Sequence, residues 1–333
     1  MIQFGSVDAV PVTILTGFLG AGKTTLLNRI LTGNHGLRVA VLVNDFGSIN
    51  IDADLVVGVD SNVMSLANGC VCCSIRDDLI ETVEAVLARP ERPQYIILEA
   101  SGVSDPSSIA MTFTDHTFRD TIRLDSIMCI VDADQLFAAP EQMELKLRQI
   151  AFSDLVILNK VDLVDRETVQ GVHDWLGSRF RRYRLVEAVN ADVPLDILLS
   201  VGRFASEHLD AATDHVHGPD CGCHGNGHGH GHHHHDHAAT FATAMLHTDR
   251  PVSLDGLRDA VKRLPGSVYR LKGFVFCEEE PARRIIVQVV GKRIDIARDE
   301  PWGDRRPETR LVAIGAAGAM PATFLEDVVP LAA

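Results

Sequence analysis

Between residues 10 and 200, short and almost unbroken apolar runs alternate with longer stretches in which apolar positions recur every three or four residues. The runs are Val10–Thr16, Val39–Val43, Tyr95–Leu98, Ser126–Val131 and Leu155–Leu158. A strand with one solvated face would alternate apolar and polar positions, so continuous runs predict strands covered on both faces. The periodic stretches Lys23–Leu31, Ile75–Leu87, Glu144–Ala151 and Glu167–Phe180 predict helices. Strand–helix alternation implies crossover connections and a mainly parallel sheet, the α/β class. The pattern breaks near residue 206. From His215 to His237 nearly every residue is His, Gly, Asp, Cys or Pro, which leaves too little apolar surface for folding and predicts a flexible linker. Beyond it, the runs Phe241–Leu246, Gly273–Phe276, Ile285–Val289 and Leu311–Ile314, with one helical stretch at Ser253–Leu264, predict a small α+β domain. The expected division is 1–205, 206–238 and 239–333.

The first loop carries the sharpest chemistry. Gly17-Phe18-Leu19-Gly20-Ala21-Gly22-Lys23-Thr24 fits GxxxxGK[ST] directly after a predicted strand and at the start of a predicted helix. Gly17, Gly20, Ala21, Gly22 and the following Thr25 are expected to wrap phosphates with backbone N–H groups, helped by the positive end of the helix. Lys23 would contact the β- and γ-phosphates, and the Thr24 hydroxyl would bind Mg²⁺. Asn159-Lys160-Val161-Asp162 ends a late strand. Guanine offers N1–H and N2–H₂ as adjacent donors and one carboxylate accepts both, which makes Asp162 the base reader. Asn159 would tie this loop to the first, and the Lys160 stem would cover the base. Glu99, ending a buried run, fits a Mg²⁺ position held through water, and Gly102 fits a backbone sensor of the γ-phosphate. Val103 follows Gly102, so no Gln stands there to orient water, and slow intrinsic hydrolysis is expected. Lys23, Thr24 and Glu99 form the expected catalytic set. Each motif has a plainer alternative: a glycine-rich turn, a solvated turn, a helix-capping acid.

Two further features point to metal. Cys70-Val71-Cys72-Cys73 stands just before a predicted helix, and thiolates suit Zn²⁺ and Cu⁺. Three sulfurs on one ion need the turn that Asn68-Gly69 permits, and they leave a fourth position open for transfer. Packed core cysteines or a redox pair are the alternatives. The second feature is the tract from His215 through Cys221, Cys223 and His224 to His237, which holds ten of the fifteen histidines. Its Gly-spaced imidazoles, His224, His232 and His234 among them, fit shifting divalent-metal ligation, and a merely solvated linker is the alternative. Isolated His35, His116, His173 and His247 read as surface or satisfied residues, and Trp175 and Trp302 as packing residues. Ala188 gives a weak signal for a position near the guanine.

Charge narrows the partners. The chain has 31 Lys and Arg against 45 Asp and Glu, a net charge of −14. That argues against nucleic acid and anionic membrane as partners, which need a cationic face. The cluster Arg179, Arg181, Arg182 and Arg184 reads as a solvated helix end. No apolar run approaches ~18 residues, so no membrane span is expected. The first residues lack a signal-peptide pattern, which makes a cytoplasmic location with reduced thiols the expectation.

Taken together, Gly17–Thr24, Cys70-Val71-Cys72-Cys73, Glu99-Ala100-Ser101-Gly102, Asn159–Asp162 and the interposed His-rich stretch resemble the CobW-type metallochaperone GTPases, a branch of the P-loop GTPases. Arg270-Leu271-Lys272-Gly273 and Pro301-Trp302-Gly303-Asp304 resemble that family's C-terminal domain. The resemblance implies a P-loop GTPase that binds GTP or GDP, Mg²⁺ and Zn²⁺ and delivers the metal to client apo-metalloproteins. Co²⁺ or Ni²⁺ are alternative cargoes, and a second copy of the chain is a further expected partner. Asn44-Asp45-Phe46-Gly47 resembles a family segment that often has Glu at the position of Asp45, so Asp45 is an expected metal contact; Ser48 stands where many relatives carry an acid. Two alternatives share most of these features: a factor for cobalamin synthesis or cobalt or iron insertion, and a passive His-rich metal buffer.

Overall fold

The computed structural model describes residues 9–43, 63–65, 74–113, 118, 121–180, 183–199, 241–303, 305–321 and 323–331. The nucleotide-motif half runs β1 (Val10–Thr16), α1 (Lys23–Thr32), β2 (Val39–Val43), β3 (Val63–Ser65), α2 (Ser74–Leu87), β4 (Tyr95–Glu99), α3 (Pro106–Phe113), β5 (Ile122–Asp132), α4 (Met143–Phe152), β6 (Leu155–Asn159), α5 (Arg166–Arg179), β7 (Leu185–Glu187) and α6 (Leu195–Leu198). Its sheet has the order β3-β2-β4-β1-β5-β6-β7, with every described pairing parallel.

The continuous apolar runs make this sheet because β1, β2 and β4 to β7 each feed at least two cores. In β1, Val10, Val12 and Ile14 pack with Leu79, Val83 and Val86 of α2 and Ile109 and Phe113 of α3. Leu15 packs on the other face with Leu26, Leu27 and Ile30 of α1. A fully buried aliphatic side chain contributes ~1.5–3 kcal/mol, whereas a helix cap gives ~1. Core burial therefore dominates, and α1 starts at Gly22 with no side-chain cap.

The last segment runs β8 (Phe241–Thr248), α7 (Leu254–Lys262), β9 (Val268–Phe276), β10 (Arg283–Val290), β11 (Arg293–Pro301), β12 (Thr309–Ala316) and α8 (Phe324–Val328). Its sheet is antiparallel, β11-β10-β9-β12-β8. Alternation is clear in β10. Ile285, Val287 and Val289 join a core with Leu257 and Val261 of α7 and Leu325 of α8. From the opposite face, Gln288 meets Arg123 of β5 at 3.0 Å.

This second sheet docks on the edge of the first where the parallel strands begin. Arg123 also bonds Asp295 at 2.6 Å, and Arg293 bonds Asp154, next to the start of β6, at 2.9 Å. Tyr269, Val290 and Ile314 complete an apolar cluster with Ile197 and Leu198 of α6. β5 and β9 both extend past their apolar runs for this reason: Arg123, Asp125, Arg270 and Lys272 break the hydrophobic pattern and make contacts between the two domains, Lys272 with Asp196 of α6. Among the described residues no helix is long and apolar enough to cross a membrane.

Candidate functional site

The phosphate-type loop, Glu99, Gly102 and Asn159 all follow or end parallel strands. They lie at the edge opposite the second domain, where open α/β sheets bind ligands. Gly22 sets the entry to α1 with φ +110°, a left-handed conformation, and a Cβ there would collide with the Asn159 amide. Only glycine fits. Lys23, largely buried, donates from Nζ to Gly17 O at 3.0 Å and Phe18 O at 3.3 Å. The Thr24 hydroxyl, one residue on, donates to Glu99 Oε1 at 3.1 Å, with Glu99 only 2% exposed. A hydroxyl and a carboxylate oxygen beside the loop form an oxygen donor set suited to a hard divalent cation such as Mg²⁺. Thr25 is exposed on α1.

Asn159 joins two loops. Its Nδ2 donates to Ala21 O at 2.9 Å, and its Oδ1 accepts from Ala191 N at 2.7 Å. Lys160 has φ +62°, which turns the chain out of β6, and its ammonium meets Asp132 Oδ2 at 2.7 Å. Asp162 sits exposed on the 3₁₀ turn Val161–Leu163. Ala188 is bonded into the same region, its N–H to Leu158 O and its carbonyl to Val161 N. Gly102 lies against the first loop: a Cβ on it would stand 2.6 Å from Leu19 Cδ2 and 2.9 Å from Leu19 N.

Three contributors were not singled out from sequence. Asp132 orients Lys160 and accepts from the N–H groups of Asp134 and Gln135. Its signal was available, an acid ending a buried strand, as at Glu99. Lys146 and Gln149 are buried polar residues of α4 that reach this edge. Nothing in their spacing distinguishes them from a solvated helix face.

Asp45, Cys70, Cys72, Cys73, His224, His232, His234, His116, Arg181 and Arg182 lie outside the described residues. The two described cysteines, Cys129 and Cys277, are buried, and desolvation pushes each thiol up to about 12. Neither suits a thiolate ligand at neutral pH. His35, His173 and His247 bond Ile30 O, Glu187 and Glu308. Trp175 packs edge-on to Phe137, and Trp302 packs against Phe274 and Phe276. Arg184 is buried, so the arginine cluster is not wholly the solvated helix end its charges suggested.

The sequence profile described as "CobW/HypB/UreG, nucleotide-binding domain" matches residues 11–185, more than half of the chain. The chain belongs to the CobW/HypB/UreG family. Residues 241–327 of this family member match a second profile, "Cobalamin synthesis protein cobW C-terminal domain". The protein named zinc chaperone CobW from Sinorhizobium sp is 32% identical, over 92% of this chain and 92% of its own length. Its namesake from Pseudomonas aeruginosa is 35% identical, over 92% and 87%. The zinc-regulated GTPase metalloprotein activator 1 of Dictyostelium discoideum is 36% identical over 62% of this chain and 52% of its own length. The CobW-family fold thus spans both sheets, with the nucleotide motifs on the edge away from the C-terminal domain.

Proposed function

We propose that this chain is a GTP-hydrolysing metallochaperone that carries zinc to client apo-proteins in the cytoplasm. The observation that carries the nucleotide half is Asn159, whose two ends join the phosphate loop to the segment beside the base-reading turn. Zinc as cargo is supported by relatives named zinc chaperone that align over nearly the whole chain.

In this reading the backbone N–H groups of residues 20–25 and the Lys23 ammonium hold the phosphates. Thr24 and Glu99 would hold Mg²⁺, directly and through water, with Asp45 as a further contact; the ion neutralises charge on the β- and γ-phosphate oxygens when bound. Gly102 N–H senses the γ-phosphate. Asp162 accepts both guanine donors, while Lys160, fixed by Asp132, lays its stem along the base. Hydrolysis is slow because Val103 occupies the position after the sensor. Cys70, Cys72 and Cys73 hold the zinc, and His224, His232 and His234 gather it nearby. The description of the C-terminal family, cobalamin synthesis, favours a second reading in which the client is a cobalamin-pathway or cobalt enzyme.

The test is transfer. Zinc-loaded protein with GTP should activate a zinc-dependent apo-enzyme captured with it in the presence of GTP and zinc, and GDP should not support the transfer. Equal transfer with GTP, with GDP and without nucleotide would overturn the reading.

A further inference from the structure

Helix α4 buries Lys146, Gln149 and Ile150. Two of these three side chains are strongly polar, and burying polar groups is costly unless they are bonded. Their bonds lead to the phosphate-side loops. Lys146 Nζ donates to Gln135 O at 2.9 Å, Leu136 O at 3.0 Å and Ala138 O at 2.6 Å, and it stands 4.8 Å from the ring centroid of Phe18 in the phosphate loop. Gln149, three residues on and so on the same helix face, is 1% exposed. Its Nε2 donates to Gly102 O at 3.2 Å and to Ser104 O at 3.1 Å. A single amide group therefore holds two carbonyls of one loop. That loop closes on itself through Ser104 N and Oγ, which both donate to Ser101 O at 3.0 and 2.8 Å. On its other side Gly102 lies close against Leu19, which occupies the space a Cβ would need.

We propose that Gln149 is the positioning residue of the γ-phosphate sensor. Its amide fixes the 102–104 backbone in the arrangement from which Gly102 N–H reaches the γ-phosphate. The proposal rests on the reading of Gly102 as that sensor. Gln149 does not touch nucleotide and acts only through the loop. A leucine at 149 would fill the helix face as well but would leave two carbonyls without their donor, and the loop would be free to turn. The consequence is selective. GDP, held by the phosphate loop and Asp162, is indifferent to Gln149, whereas a nucleotide with a γ-phosphate depends on it.

The test compares affinity for a non-hydrolysable GTP analogue with affinity for GDP in the full chain. Gln149→Met removes the donor at similar size. Gln149→Asn keeps the amide but shortens the stem by one methylene, which withdraws the donor from the two carbonyls. Either should lower the analogue-to-GDP preference and kcat for GTP by about tenfold, with GDP affinity within about twofold of wild type. Gly102→Ala, which drives a methyl into Leu19, should lower the preference too, and the double variant should be no worse than Gly102→Ala alone. Equal weakening of both nucleotides in the Gln149 variants would mark a merely structural residue and overturn the proposal. So would an unchanged preference there while Gly102→Ala loses it, which leaves the sensor reading standing. An unchanged preference in Gly102→Ala would instead remove the sensor reading, and the proposal with it.

Discussion

Arg270 of the C-terminal sheet donates to Asp125 of β5 at 3.4 Å, and the two side chains are 1% and 2% exposed. Arg270 also donates to Ile197 O at 2.9 Å. The Tyr95 hydroxyl donates to the same Asp125 oxygen at 2.7 Å, and burial together with the carboxylate pushes its phenol far above the ordinary range. This ion pair seals the two domains. Removing one partner of a buried pair strands the other charge and costs ~3–5 kcal/mol. Arg270→Met should lose stability of that order in urea unfolding. Asp125→Asn combined with it should cost less than the sum of the two. A loss below ~1 kcal/mol would place the pair among exposed ones.

Asp162 predicts the base preference. It is exposed on its turn, so the bound base must itself complete the burial. GTP should bind far more tightly than ATP, because adenine cannot pair the carboxylate, at ~1–3 kcal/mol or more. Asp162→Asn should shift preference toward xanthosine nucleotides, which carry an acceptor where guanine has its amino group. Competition binding with guanosine, adenosine and xanthosine triphosphates reads both effects, and equal GTP and ATP affinity in the wild type contradicts the assignment.

Zinc binding should divide into two classes. Deleting residues 215–237 should reduce the number of zinc ions bound while leaving one tight ion and GTP hydrolysis. Changing Cys70, Cys72 and Cys73 to Ser should remove the tight ion. The comparison is cleanest when the cysteine changes are made in the 215–237 deletion, which also removes Cys221 and Cys223, because Cys129 and Cys277 are buried with thiols held at about 12 and do not stand in for the missing thiolates. Zinc titration against a chelator measures stoichiometry and affinity together. A wild-type tight site in the cysteine variant would move the cargo site elsewhere.

The parallel sheet was legible because strands buried on both faces read as unbroken apolar runs. The boundaries failed where polar residues serve the contact between domains. Ser126–Val131 is only part of Ile122–Asp132, since Arg123 and Asp125 point their charges at partners up to 172 residues away. Gly273–Phe276 is likewise the end of Val268–Phe276, which begins before the buried Arg270. The helix Pro106–Phe113 carries little periodic signal because it is short and its first turn holds two serines. β11 gives no apolar run because its sequence, RIDIARDEP, mixes charge with apolar residues at the edge of the sheet. In the site, motif residues carried their own signal through spacing. Asp132 offered a signal too, as an acid ending a buried strand, but Lys146 and Gln149 did not, because their roles exist only through bonds to backbone carbonyls of neighbouring loops.

The central claim is that nucleotide and zinc affinities are linked. Helix α2 begins at Ser74, directly after Cys73, and its Leu79, Val83 and Val86 pack on β1 and β4. Those strands lead to the phosphate loop and to Glu99, so the helix that follows Cys73 in sequence packs on the strands that feed the nucleotide edge. Typical coupling between two such sites is ~1–3 kcal/mol, about 5–150-fold in affinity. Chelator competition for Zn²⁺ in the apo, GDP-bound and analogue-bound states measures it directly. Hydrolysis-driven release predicts tighter zinc binding with the analogue than with GDP by a factor in that range, with zinc raising the analogue-to-GDP preference by the same factor. Identical zinc affinity in all three states would contradict the account.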